Sequence, residues 1–295
     1  MQIKLKKIFL LAIIVFLFSI SFSNMYYKIY PKDWRNIINE VVKEKHLINK
    51  ESYSTTIKEI KYLYENKSKI EFLEKSAILY SEGITYAWPD YPVNMLTISP
   101  FDNWILYFSK FLDPVLENLN LMNKNTKYFQ RFESYKYERA LGRGFGLCSQ
   151  NALGLADLLY SKYNIKAKVI SLGIHIIIEV KLNDNFYILD PSIGVFMPFS
   201  LNFAFNNLDE VEKYYNKEII QSKISHLNFT TNDIIQAFNK KNYFEAHNFG
   251  SSNYYQNYYK MIAVKYYEII SDILSIIIPL IICLLILRKL KFFEK

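Results

Sequence analysis

Residues 144–194 read GFGLCSQNALGLADLLYSKYNIKAKVISLGIHIIIEVKLNDNFYILDPSIG. After the glycine cluster Gly142, Gly144 and Gly146, apolar residues recur at helical spacing (Ala152, Leu155, Ala156, Leu159), which predicts a helix from about Cys148 to Tyr163. Three runs rich in Ile and Val follow: Ala167 to Leu172, His175 to Leu182 and Phe186 to Leu189. They read as consecutive strands, the last two joined by a tight turn at Asn183-Asp184-Asn185. A helix packed on a small antiparallel sheet makes the fold class α+β.

The same stretch carries a candidate nucleophile. Cys148 stands where the glycine loop feeds the helix, and a thiol at a helix N-terminus sits at the positive end of the aligned backbone dipoles, a setting that favours thiolate chemistry. Glycines before it let a substrate carbonyl approach the backbone closely. His175, on the neighbouring strand, is placed to take the thiol proton and return it to a leaving group. Asp190, across the hairpin, is placed to hold the imidazole in the useful tautomer. Each residue also has an ordinary reading: a buried inert cysteine, a strand-edge histidine, and the turn opener Asp190-Pro191-Ser192. One helix and one hairpin bring the three positions together, which favours a thiol triad over three coincidences.

Gly146-Leu147-Cys148 entering a helix with Ala152, then Tyr163 to Val169, His175 opening a strand with Glu179-Val180, and Tyr187-Ile188-Leu189-Asp190-Pro191 resemble the transglutaminase-like domain, a papain-related family of cysteine enzymes. The resemblance covers about fifty residues. It implies a papain/transglutaminase-like core with Cys148 as nucleophile, His175 as general acid/base and Asp190 as orienting carboxylate. It further implies a protein or peptide substrate, attacked at a peptide or glutamine-type amide through a thioester. Asn164 stands where the family usually has glycine, Lys166 where it has proline, and Ile176-Ile177 where a small residue and an aromatic often follow the histidine. These departures leave the catalytic groups in place and the substrate type open, since the family also includes members without activity. A catalytically silent scaffold or binding protein is therefore the competing reading.

An oxyanion needs donors. The Cys148 backbone N–H is a natural first one, and a second is sought among Trp88, Asn103, Trp104 and Gln150. The histidines at 46, 175, 226 and 247 lack paired ligand spacing, so neither metal nor other cofactor is expected.

The ends of the chain set its location. Ile8 to Phe22 is nearly all apolar and follows Lys4, Lys6 and Lys7, the pattern of a signal peptide or membrane anchor over residues 1–27. Ser21-Phe22-Ser23 resembles a cleavage site, so both outcomes stay open. A second apolar segment, Ile269 to Leu287, is long enough to span a bilayer as residues 269–288 and leads into a basic tail at 289–295. The alternative for this segment, a buried soluble helix, does not need so uniform an apolar perimeter. Of the formal +8, most lies at the two ends: residues 8–287 hold 29 basic against 27 acidic groups. Basic flanks favour the cytoplasm, which places both termini there if the first segment is retained, and the intervening domain outside. A nearly neutral domain without a basic stripe is not a nucleic-acid binder. Two spans of low polar content do not suit a channel or transporter. Richness in Lys, Asn, Ile and Tyr points to an AT-rich, bacterial genome and so to the cytoplasmic membrane. With Cys283 inside the second apolar segment, Cys148 has no disulfide partner within the domain. No feature fixes an oligomeric state.

Between the ends, 28–140 reads as mainly helical, with helices over Asp33 to Leu47 and Ser54 to Tyr80 and an irregular aromatic loop from Gly83 to Pro114. Residues 141–200 form the expected catalytic core, and 201–268 a helical, tyrosine-rich extension.

Overall fold

The computed structural model describes residues 2–30, 52–86, 99–118, 134, 136–216, 218, 230–240, 243–249 and 259–292. The helix expected over Asp33 to Leu47, Trp88, His46 and His226 lie outside them, and of His247 only the backbone is described. In chain order, α1 covers Gln2–Ile29, α2 Tyr53–Asn66, α3 Lys69–Gly83, β1 Thr85–Tyr86, α4 Pro100–Asn118, α5 Tyr137–Arg143, β2 Phe145–Gly146 and α6 Cys148–Tyr163. They are followed by β3 (Ala167–Ser171), β4 (Ile176–Leu182), β5 (Asn185–Asp190), β6 (Val195–Met197), α7 (Leu201–Asn206), α8 (Leu208–Tyr215), α9 (Thr231–Ala237), β7 (Phe244–Phe249) and α10 (Tyr259–Phe292). Packing divides the chain into two units that interleave in sequence. The first joins Met1–Lys32, Met95–Lys127 and Tyr266–Lys295; the second joins Asp33–Asn94 and Tyr128–Lys265.

Helices α1, α4 and α10 build the first unit. Leu5–Ile29 and Tyr266–Leu290 are each long and apolar enough to cross a membrane. Only 11% and 22% of their most apolar windows are buried, whereas a soluble core helix would be mostly covered. The two run antiparallel. Cys283 Sγ meets Ile14 C=O at 3.5 Å, Ser21 Oγ donates to Ile276 C=O at 2.9 Å, and Lys28 Nζ lies 2.8 Å from Asp272 Oδ1. Lys6 and Lys7 therefore share an end with Arg288 and Lys289.

Part of the stretch expected to be an irregular loop, Gly83 to Pro114, is helical instead. Pro100 occupies the first position of α4, where no backbone N–H is needed. Asn103 leaves helical dihedrals (φ −158, ψ 94), and its Oδ1 accepts from Leu106 N–H at 3.0 Å, restarting the helix as an internal cap. Proline and asparagine thus look like loop signals while serving helix starts. In α10, Pro279 removes the N–H that would bond the Ser275 carbonyl, and the Trp104 indole donates to that carbonyl at 2.9 Å.

The second unit is α+β. A five-stranded sheet in the order β6-β5-β4-β3-β7 is antiparallel throughout. Strands β6 and β7, which the sequence pattern does not announce, extend it at both edges, β7 from within the segment read as helical. Asn183 and Asp184 both have positive φ (49 and 63), the two-residue hairpin geometry that asparagine and aspartate tolerate best. The helix expected over Ser54 to Tyr80 is two helices. Ser68 caps α3 by accepting Glu71 N–H at 3.2 Å, and Ser52 caps α2, accepting Thr55 N–H at 3.1 Å. Leu153, Leu155 and Leu159 of α6 are buried in one core with Val169, Ile177 and Ile178 of the sheet and Phe72, Leu73 and Tyr80 of α3. Each such aliphatic side chain contributes about 1.5–3 kcal/mol by leaving water. That core fixes α6 against the sheet, and with it the relation between Cys148 and the β4–β5 hairpin.

Candidate active site

Cys148 is the first residue of α6. The N-cap, Leu147, offers no side-chain oxygen, and the first helical hydrogen bond runs from Asn151 N–H to Leu147 C=O at 3.0 Å. The helix end beside the thiol therefore presents backbone N–H groups rather than a capping side chain. Gly144 closes α5 in the left-handed region (φ 64), a conformation glycine adopts without strain. Gly146 answers a different need: a Cβ there would lie 2.5 Å from Gln150 Cγ. Its lack of a side chain makes room for Gln150 inside the protein, which is a packing role beside the access role expected of the loop.

The hairpin register brings His175 and Asp190 to one face. Ile178 stands opposite Leu189, so continuing the ladder puts Ile177 opposite Asp190, and His175 lies two residues earlier on the same side. Both side chains are fully buried, and His175 Nε2 lies 2.6 Å from Asp190 Oδ2. The carboxylate is satisfied further by Tyr215, whose hydroxyl donates to Oδ2 at 3.0 Å, and by Ser192 N–H, which donates to Oδ1 at 3.1 Å.

Burial is the largest single influence on the His175 ring and works against its charged form. The Asp190 carboxylate, by charge and hydrogen bond, outweighs it, and hydrogen bonding and charge at Cys148 add in the same direction. The ring is pushed up to about 10. His175 and Asp190 thus form one buried hydrogen-bonded pair, and the nearly buried Cys148 thiol (7% exposed) adds an electrostatic influence on that ring.

Tyr215, at the end of α8, belongs to this set and was not singled out by sequence. One tyrosine among 25, on an amphipathic helix with no motif, carries no mark of its own. Glu179 is engaged outside the set, its Oε1 accepting Leu201 N–H at 2.9 Å at the start of α7.

The second oxyanion donor fares differently. Gln150 gives its amide to Ser134, Nε2 donating to the carbonyl at 2.7 Å and Oε1 accepting from the N–H. Asn103 and Trp104 belong to the first unit, where the Asn103 amide donates to Ser271 Oγ and Asp272 Oδ1 and the Trp104 indole to Ser275. Trp88 lies outside the described residues. Asn151, one helical turn from Cys148, is fully buried with both amide atoms unpaired. Among the described residues, no three His, Cys, Asp or Glu side chains converge as a metal site requires.

No family model, no curated protein and no solved structure matches the chain.

Proposed function

We infer that the protein is a membrane-anchored, transglutaminase-like cysteine enzyme acting on peptide or glutamine-type amides. The observation that carries the reading is the buried His175–Asp190 pair at 2.6 Å, with Cys148 at the start of α6 acting on the same ring. In the proposed reaction the Cys148 proton already resides on His175, whose ring its surroundings push up, and the sulfur attacks the amide carbonyl as thiolate, forming a C–S bond. Backbone N–H groups at the α6 terminus hold the oxyanion. As the C–N bond breaks, His175 gives the proton to the departing amine or ammonia. Water or a second amine then attacks the thioester carbonyl and His175 accepts the attacking group's proton; the C–S bond breaks, the acid or new amide leaves, and the Cys148 thiolate beside protonated His175 is restored. Asp190 and Tyr215 keep the imidazole oriented throughout. The core would then be papain/transglutaminase-like, and the proposed anchors are α1 and α10, with the second unit outside the cytoplasm and both basic ends inside.

The test is alkylation of Cys148 at mildly acidic pH in a Cys283→Ser background. The expected result is labelling faster than that of a free cysteine, falling at least tenfold in His175→Ala. Labelling no faster than a free thiol, together with unchanged turnover of a responsive amide substrate in Cys148→Ala, would sink the enzyme reading. The burial of Cys148 favours a second reading, a silent scaffold. It predicts that Cys148→Ala keeps the cellular role intact.

A further inference from the structure

Four polar side chains of α1, Ser21, Ser23, Asn24 and Lys28, reach the two other helices of its unit. Ser21 (3% exposed) donates to Ile276 C=O, and Ser23 Oγ donates to Phe101 C=O at 3.0 Å. Asn24 (0% exposed) donates to Pro100 and Phe101 carbonyls at 3.0 and 3.1 Å, while its Oδ1 accepts Trp104 N–H at 3.3 Å. One turn further on, Lys28 Nζ bonds Asp272 Oδ1 at 2.8 Å and Ser275 Oγ at 3.3 Å. The paired side chains are only 17% and 15% exposed, and Asn103 Nδ2 donates to the same Asp272 oxygen at 2.9 Å. A carboxylate in so apolar a helix is costly unless a cation and further donors accompany it, and here α1 supplies the cation and α4 the donor. The segment Ser21-Phe22-Ser23, which reads in sequence as a cleavage site, lies within α1 with its first serine bonded to α10. Phe22 is 57% exposed, but Ser21 and Ser23 on either side of it are hydrogen-bonded to α10 and α4, whereas proteolysis favours weakly held backbone.

We propose that Lys28 is the built-in counter-ion of Asp272, a clasp that makes α1 a permanent partner of α4 and α10 in the working protein rather than a leader that is removed. The clasp extends the membrane-anchored reading above by naming what pairs the two anchors. The full chain carrying an N-terminal epitope is expressed as wild type, Lys28→Met, Asp272→Asn and the double variant, and thermal midpoints are read in detergent. Asp272→Asn keeps the acceptor for Asn103. Each single variant leaves one charge without its partner and is expected to lower the midpoint by about 10 °C. The double variant recovers at least half of the larger loss, and the mature protein retains the epitope. Additive losses, or a mature protein without the epitope, overturn the clasp. Release of wild type by alkaline carbonate refutes membrane anchoring separately, while the mutant cycle still judges the clasp.

Discussion

His175 shows how one buried residue links chemistry to stability. Its folded-state value near 10 exceeds the ordinary 6.5, so folding favours the protonated ring. The stabilisation is complete below about pH 6.5 and fades as pH rises through about 10. In Asp190→Asn the main raising influence disappears and burial prevails. His175 is then expected to titrate below 6.5, and its contribution changes sign, stability rising with pH through that lower window. Ring-proton NMR and urea midpoints between pH 5 and 10 check both statements. An unchanged titration in Asp190→Asn would mean that the carboxylate does not control the ring. Cys148, His175 and Asp190 were legible because reactive residue types fell at element boundaries. Tyr215 was not, since its hydroxyl gains meaning only from the carboxylate it meets.

At the scale of elements, the residue that ends α6 has a local reason. Asn164 ends α6 in the left-handed region (φ 53), its N–H bonding the carbonyls of Leu159 and Tyr160. Glycine and asparagine are the residues that tolerate this closure best. Asn164→Ala is expected to cost about 1 kcal/mol in chemical denaturation, whereas Asn164→Gly costs nothing measurable. Equal losses in both variants would show that the side chain, not the backbone conformation, is what matters. Helix α6 and the β4–β5 hairpin were legible because apolar period and turn residues agree there. The start of α4 was hidden because proline and asparagine signal loops in sequence, and here they begin and restart a helix. Strand β7 was hidden because its hydrogen-bonding partner, β3, lies over seventy residues earlier.

For the whole molecule, the interleaving of the two units matters most. The contact of Trp104 with the carbonyl freed by Pro279 ties α4 to α10 across 171 residues of sequence. Trp104→Phe is expected to lower the detergent thermal midpoint in the wild-type background. In a Pro279→Ala background, where the helix can bond its own Ser275 carbonyl, the same change costs much less. Equal costs in the two backgrounds would separate the indole from the proline. Sequence alone determined the apolar terminal helices, the α+β core and the order of thiol, imidazole and carboxylate. Each depends on local composition and period, which the chain carries in short windows. Tertiary structure alone decided that Tyr215 and Ser192 complete the Asp190 site, that Gln150 is committed to Ser134, and that Lys28 meets Asp272. Those partners lie on different elements, and a hydrogen bond or ion pair reads only distance in space.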